Sequence, residues 1–173
     1  GLQIEERYFS FDNAMILNGL CDLYKSSQDE SYLIAAIKIG RWLVNEMQCH
    51  NGSFMAVYNA QSSSKKYRTR DFAGDGGGLH AKNAIGLLKL SKLTGDEIYQ
   101  VSAQKVLDWV LTLQRSDGAF WTNEHRIQVF THAHCYALEG LLYGYHFFGE
   151  KKYLRGLIDG GRVLLQLQRA DGS

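Results

Sequence analysis

The 173-residue sequence contains no proline and only three cysteines, and its charges nearly cancel to a net charge of +1. Proline in a helix interior costs about 3 kcal/mol, so its absence favours long uninterrupted helices. An odd number of cysteines in largely apolar segments indicates buried thiols, which gives a weak preference for a reducing, cytoplasmic compartment and leaves the localisation open. The small net charge favours neither nucleic acid nor an anionic membrane surface as a partner.

Several other signatures are also missing. No apolar run approaches the roughly 18 residues of a membrane-spanning helix, so we expect no membrane span. The sequence begins Gly-Leu-Gln-Ile, without a basic and then apolar leader, so a signal peptide is expected to be absent or to lie outside this sequence. No nucleotide-binding fingerprint occurs, and the glycine-rich run 74–78 follows a predicted hairpin, which favours a flexible entry to a helix.

A Gln-x-x-Asp/Asn-Gly pentad occurs three times, each time after a long amphipathic segment. The three pentads are Gln48–Gly52, Gln114–Gly118 and Gln168–Gly172. Three tyrosines and three glycines repeat with nearly the same spacing, namely Tyr32, Tyr99 and Tyr153 with Gly19, Gly86 and Gly140. Repeats of this length with two helical patterns each indicate an array of helical hairpins. We expect the amides of Gln114 and Gln168 to bond backbone groups of adjacent helices or loops.

The hydrophobic periodicity predicts a single repeat domain over residues 1–173. Six helices are predicted, at 11–26, 30–48, 79–93, 96–114, 131–147 and 150–168, and they pair into the hairpins 11–48, 79–114 and 131–168. The odd helices are apolar over more of their circumference, so we expect them to form an inner layer. Short β-hairpins are predicted in the long loops, pairing 53–58 with 66–72 and 119–122 with 126–130, and 7–11 reads as a further strand.

The second pentad belongs to a wider motif. This motif is Trp109-Val-x-x-x-Gln114-x-x-x-Gly118-x-Phe120. It is similar to the aromatic-aliphatic-x3-Gln-x3-Gly-x-Trp repeat of terpenoid cyclases and protein prenyltransferases, with Phe120 in place of Trp. The first repeat has one extra residue before its Gln48. The resemblance implies an all-α fold of helical hairpins that form an α/α toroid or half-toroid, an architecture that also serves six-hairpin glycosidases, uronate lyases and sugar epimerases.

The reaction motifs of the terpenoid families are missing. Neither an Asp-x-Asp-Asp nor an Asp-Asp-x-x-Asp cluster occurs, and the zinc ligands of prenyltransferases have no recognisable counterpart. A metal site on His132, His134 and Cys135 is disfavoured, because residues two apart on a helix point about 200° apart. We therefore expect neither a metal nor another cofactor.

Polar residues recur near the start of the inner helices. Asn13, His80 and His134 each lie six residues before a repeat glycine, and a common cavity mouth and local helix capping both explain that position. General acid and base chemistry requires carboxylates or a His and Tyr pair across a cavity. The resulting candidates are His80, His134, Asp12 and Asp75 as catalytic residues, and Asn13, Arg68, Arg70, Trp121, Glu124, His132 and Tyr136 as substrate-binding residues.

These observations favour an enzyme, or part of one, that acts on an oligo- or polysaccharide, and the basic and aromatic loop residues would suit an acidic sugar. Hydrolase, lyase and epimerase chemistry remain open. One alternative is a terpenoid cyclase or prenyltransferase-like cavity protein, and another is a non-catalytic helical repeat that binds a protein. The apolar terminal hairpins predict that further hairpins, or a second copy in a homodimer, complete a ring.

Overall fold

The computed structural model describes residues 6–66, 76–123 and 128–172. Its α-helices are α1 (Ser10–Ser27), α2 (Glu30–Trp42), α3 (Asn83–Thr94), α4 (Glu97–Leu111), α5 (Thr131–Phe148) and α6 (Lys151–Leu167). A π-helix (Leu43–Met47) continues α2, and a 3-10 helix (Gly78–Lys82) leads into α3. These elements confirm the predicted all-α class and its six helices. No helix within the described ranges combines the length and the apolar character needed to cross a membrane.

The tight turns inside the second and third hairpins follow from their sequences. Gly95 and Gly149 adopt left-handed backbone angles, with φ of +73° and +70°, and close the ends of α3 and α5. Glycine is favoured there because it has no Cβ to clash. The next helix then begins at a capping residue, since the carboxylate of Asp96 accepts a hydrogen bond of 3.1 Å from the Ile98 amide.

The extra residue of the first repeat is accommodated by the π-helix. A π-helix places one more residue in a turn than an α-helix, so the insertion is absorbed without shifting the residues on either side. Met47 consequently stays fully buried at the position that Leu113 occupies in the second repeat. The first pentad then follows in the same relation to the core as the second.

The odd helices form an inner layer and the even helices an outer one. The inner helix α1 packs on α3, and α5 packs on the 3-10 helix and α3, while each inner helix also packs on the outer helix that follows it. Glycines bring the inner helices close together. A Cβ on Gly86 would lie 3.0 Å from the Ala14 carbonyl oxygen, and one on Gly140 would collide with the backbone of Ala81. The three hairpins therefore form a layered arc of an α/α toroid.

The pentads join each outer helix to the next. The amide nitrogen of Gln114 donates to the carbonyl oxygens of Gly118 at 3.0 Å and Gly156 of α6 at 2.8 Å. The first pentad repeats this contact, because Gln48 donates to the Ser102 carbonyl of α4 at 2.9 Å. The predicted structural role of Gln114 is confirmed, and the contact is the same between hairpins one and two and between two and three.

The β-structure differs in part from the prediction. Strands β1 (Arg7–Phe9), β2 (Val57–Asn59) and β3 (Ser64–Lys66) form one antiparallel sheet in that order. The β2–β3 turn is tighter than expected, and most of the predicted strand 66–72 lies outside the described residues. In the second predicted hairpin the Thr122 amide donates to the Gln128 carbonyl at 2.9 Å, while residues 124–127 also lie outside them. Of the cysteines, expected to be buried, only Cys21 is; Cys49 and Cys135 are partly exposed.

Candidate functional site

His134 is buried between the inner helix α5 and the outer helix α6, and both of its ring nitrogens are occupied. The Phe120 amide donates to Nδ1 at 3.1 Å, so in the neutral ring the proton is on Nε2, which donates to the Gly160 carbonyl at 3.0 Å. A ring that holds two backbone groups has no nitrogen left for a substrate. This geometry favours a structural role for His134.

His80 is also fully buried, at the equivalent position of the second repeat. Its ring lies edge-on to Phe54, with 6.0 Å between the ring centroids, and neither nitrogen has a hydrogen-bond partner among the described residues. Burial lowers the pKa of His80 to about 3, because the charged ring would lose its hydration. His80 is therefore neutral at physiological pH and out of contact with solvent.

Asn13, the third member of this set, is partly exposed, and its amide nitrogen donates to the Phe9 carbonyl at 2.9 Å. That bond ties the start of α1 to the end of β1, so the Asn13 side chain satisfies a local backbone group without capping the helix. The common cavity mouth is not supported at His80 and His134, because both side chains lie in the interior. Their catalytic roles stay untested predictions that the geometry does not favour.

A different set of side chains gathers at the start of α5, and we call it the rim cluster. It consists of Phe11, Lys82, Phe130, His132 and Tyr136. Tyr136 is at its centre: Phe11 stacks on it with 5.4 Å between ring centroids, and the Lys82 ammonium lies 4.3 Å from the ring centre. His132 lies edge-on to Tyr136 at 6.3 Å and stacks on Phe130 at 5.7 Å. Phe130 and His132 are exposed, so the cluster has a solvent-facing aromatic side.

Charged groups surround this aromatic surface. Lys82 forms an ion pair of 2.8 Å with Glu139, one turn further along α5 than Tyr136. Asp12 lies next to Phe11 in the first turn of α1, and partial burial raises the pKa of its carboxyl group. A carboxyl group with a raised pKa keeps its proton at higher pH, as a general acid requires. The rim cluster thus joins aromatic faces to the Lys82–Glu139 ion pair, and Asp12 is the sequence neighbour of its Phe11.

The remaining predicted site residues divide into two groups. Trp121 is partly buried and stacks with Arg115, whose guanidinium carbon lies 4.6 Å from the ring centre, and no contact joins it to the rim cluster in the described ranges. Asp75, Arg68, Arg70 and Glu124 lie outside the described residues. Within the described ranges, no three His, Cys, Asp or Glu side chains lie close enough together to hold a metal ion.

Sequence reasoning found Tyr136 and His132 but missed Phe11, Lys82 and Phe130. A signal for Lys82 was present. Lys82 and Tyr136 both lie four residues before their repeat glycine, whereas His80 and His134 lie six residues before it. Two residues correspond to about 200° on a helix, so these two positions face opposite sides. With His134 facing the outer helix α6, Tyr136 faces away from α6, towards Phe11 of α1 and Lys82.

The sequence of residues 13–134 matches the model of glycosyl hydrolase family 47. This range covers well over half of the chain. No match was found among curated proteins.

Solved structures share the fold. An α-mannanase of glycoside hydrolase family 76 from Bacteroides thetaiotaomicron has a TM-score of 0.76 at 18% identity, over 99% of this chain and 45% of the mannanase. A cellobiose 2-epimerase from Spirochaeta thermophila has a TM-score of 0.75 at 13% identity, over 96% and 45%. A D-mannose isomerase has a TM-score of 0.73 at 12% identity, over 97% and 43%. The chain therefore spans a little under half the length of these structures.

Proposed function

We propose that this chain, which belongs to glycosyl hydrolase family 47, binds and processes an oligo- or polysaccharide at the rim cluster. The observation that carries the proposal is the cluster around Tyr136, whose ring contacts Phe11, Lys82 and the exposed His132. Aromatic faces bind the apolar faces of sugars, while ammonium and carboxyl groups bind their hydroxyl groups. The polar groups beside Tyr136 favour a glycan over a terpenoid, which requires mostly aromatic walls.

Two parts of the site receive distinct roles in this proposal. The exposed rings of Phe130 and His132 supply the surface on which a sugar ring stacks, and Tyr136 supports His132 through their edge-on contact. Asp12 supplies a proton to the leaving oxygen or removes one from the sugar, because partial burial raises the pKa of its carboxyl group and so favours the protonated form. Asp75, which the sequence also predicts as catalytic, stays a prediction and is the natural partner for Asp12, since glycoside hydrolysis uses a pair of carboxyl groups.

We infer the substrate class from the names of proteins with a similar fold. The names of the mannanase and of the mannose isomerase point to mannose, so a mannose-containing oligosaccharide is the first substrate to test. Lys82 would bind the carboxylate of a uronate, which makes an acidic oligosaccharide the second. Because the chain spans less than half of these structures, the complete site requires the rest of a ring, supplied by further hairpins or by a second copy.

The test measures glycan binding and turnover separately. Titration calorimetry with a mannose oligosaccharide and with a uronate oligosaccharide should give binding that Tyr136→Ala weakens about tenfold, because the stacking surface of His132 loses its support and an aromatic contact contributes about 1–2 kcal/mol. Asp12→Asn should keep most of the binding and lose turnover. His146→Ala is the matched control, since His146 is exposed at the opposite end of the same helix.

Each outcome discriminates between the hypotheses. Binding of either sugar that depends on Tyr136 supports the proposal and identifies the substrate class. No binding of either sugar, or binding that Tyr136→Ala and His146→Ala weaken equally, would overturn it in favour of a non-catalytic repeat. Turnover that survives Asp12→Asn would remove Asp12 from the mechanism while leaving the binding surface.

A further inference from the structure

We infer that Glu139 makes the rim cluster selective for neutral sugars, because its carboxylate holds the Lys82 ammonium that an acidic sugar would need. The preferred substrate is then a glycan that presents hydroxyl groups, and no carboxylate, to the Lys82–Glu139 pair. Because this selectivity concerns the substrate of the rim cluster, it rests on the proposed function.

The Lys82–Glu139 pair joins two neighbouring inner elements. Lys82 ends the 3-10 helix that leads into α3, and Glu139 lies on α5. The Lys82 ammonium nitrogen is 2.8 Å from Oε2 of the Glu139 carboxylate, and the two side chains are 21% and 50% exposed. A ligand at the rim cluster therefore meets the open carboxylate of Glu139 at least as readily as the ammonium of Lys82.

Tyr136 fixes the position of this pair. Its ring centre lies 4.3 Å from the Lys82 ammonium, and it precedes Glu139 by three residues on α5. Residues three apart on a helix share a face, so the aromatic ring and the carboxylate reach Lys82 from the same side of α5. A sugar that reaches Lys82 beside the Tyr136 ring consequently also reaches Glu139.

Both members of the pair can form further hydrogen bonds. An ammonium group has three N–H donors, and within the described ranges Lys82 contacts the Glu139 carboxylate and the Tyr136 ring. A carboxylate has about four acceptor positions on its two oxygens, and the described contact of Glu139 uses Oε2. The pair therefore offers a donor and an acceptor side by side.

A hydroxyl group matches this arrangement, whereas a carboxylate does not. A hydroxyl can accept from Lys82 and donate to Glu139 at the same time, since it has one donor and two acceptor positions. An ionised sugar carboxylate can only accept, and its negative charge would lie beside that of Glu139, where like charges repel each other. A uronate could bind Lys82 through its carboxylate only if Glu139 left its partner. Glu139 therefore favours a neutral sugar at this pair.

A second ion pair of the inner layer provides a matched control. Lys89 lies seven residues after Lys82, which places it about 10 Å further along the helix. Its ammonium nitrogen lies 2.7 and 2.6 Å from the two carboxylate oxygens of Asp22 on α1. Asp22→Asn removes a negative charge from a lysine pair between inner helices, as Glu139→Gln does, but at a distance from the rim cluster.

The test compares two oligosaccharides of equal length, one of mannose and one of mannuronate, in which a carboxylate replaces the C6 hydroxymethyl group of mannose. Titration calorimetry in about 0.1 M salt measures the Kd of each. The wild-type chain should bind the mannose oligosaccharide more tightly. Glu139→Gln should raise the affinity for mannuronate relative to mannose about tenfold or more, because the amide removes the charge but keeps the side-chain shape. Asp22→Asn should leave this ratio unchanged.

A lysine variant ties the effect to the ion pair. Lys82→Met should weaken mannose binding and, combined with Glu139→Gln, should remove the gain in mannuronate affinity, because the freed ammonium is then absent. Circular dichroism verifies that each variant keeps its helices. An ion pair that only joined α5 to the start of α3 would change the stability of the variants without changing the ratio of the two affinities.

A ratio that Glu139→Gln leaves unchanged, or a wild-type chain that prefers mannuronate, would overturn the selectivity while leaving glycan binding at the rim cluster intact. A gain for mannuronate that persists in the double variant would also overturn it, since Lys82 would then not be the group responsible. Failure of both sugars to bind the wild-type chain and every variant would overturn the proposed function and the selectivity together. A gain of about tenfold that requires Lys82 would support the selectivity.

Discussion

The second and third hairpins have the same sequence markers, but the pentad and the histidine of each hairpin make different contacts. In the second hairpin the pentad is docked on α6 while His80 has no hydrogen-bond partner among the described residues. In the third, His134 holds two backbone groups while the pentad has no helix to dock on. Equal sequence markers therefore specify equal positions, and the neighbouring element decides whether a contact forms there.

The two histidines show how one neighbouring residue decides the contact. The outer-helix residue opposite His134 is Gly160, and a Cβ there would lie 3.3 Å from the imidazole carbon Cε1. The missing side chain lets the ring approach the Gly160 carbonyl. The equivalent residue of α4 is Val106, which is fully buried and carries a branched side chain where α6 has none. The same histidine position thus forms a strong backbone bridge in one hairpin and an unsatisfied buried group in the other.

Alanine at the two pentad glycines should have very different effects on stability, because the second pentad is docked and the third is not. Gly118→Ala should lower the free energy of unfolding by about 3 kcal/mol, because the new Cβ strains a left-handed backbone and collides with the Asp159 carbonyl. Gly172→Ala should cost about 1 kcal/mol, since only the backbone strain applies. Urea denaturation measures both. Equal losses would show that the contact with α6 contributes nothing.

The second prediction removes the side-chain part of the same contact. Gln114→Leu should lower the free energy of unfolding by about 2 kcal/mol, because two carbonyl oxygens, of Gly118 and Gly156, lose their donor. Gln168→Leu should cost less than about 0.5 kcal/mol, since the bond of Gln168 to Gly172 is long and exposed. The same denaturation experiment applies, and a Gln168 loss as large as that of Gln114 would contradict the undocked state of the third pentad.

Much of the fold was predictable from the sequence, for a physical reason. Helix spacing, left-handed glycines and the repeated pentad are local signals, so the helix ends and the pairing into hairpins follow from short stretches of chain. The π-helix was not predicted, although the extra residue before Gln48 was visible, because the same insertion fits a lengthened loop. The β-strands were placed less well, since three-residue strands have too few residues for a clear alternation.

The candidate site was harder to predict because it depends on which side of a helix faces the ring. The alignment of His80 with His134 was correct, but residue type alone suggested that polar residues line the cavity. The structure buries both histidines and instead presents Lys82 and Tyr136, two residues further along. That choice required knowing where the outer helices lie, which is tertiary information that no local pattern contains.

The difference between the two histidines also predicts a small pH dependence of the free energy of unfolding, which is due to His80. Burial lowers the pKa of His80 to about 3 in the folded chain, against about 6.5 when unfolded. Between these values only the unfolded chain binds the proton, so stability is fully present above about pH 6.5 and falls as the pH decreases towards 3. From pH 7.5 to pH 6 the wild-type chain should lose about 0.8 kcal/mol more than His80→Leu, which cannot take up this proton. Urea denaturation at the two pH values measures the difference. An identical loss in both proteins would mean that His80 finds a partner or reaches solvent in the folded chain.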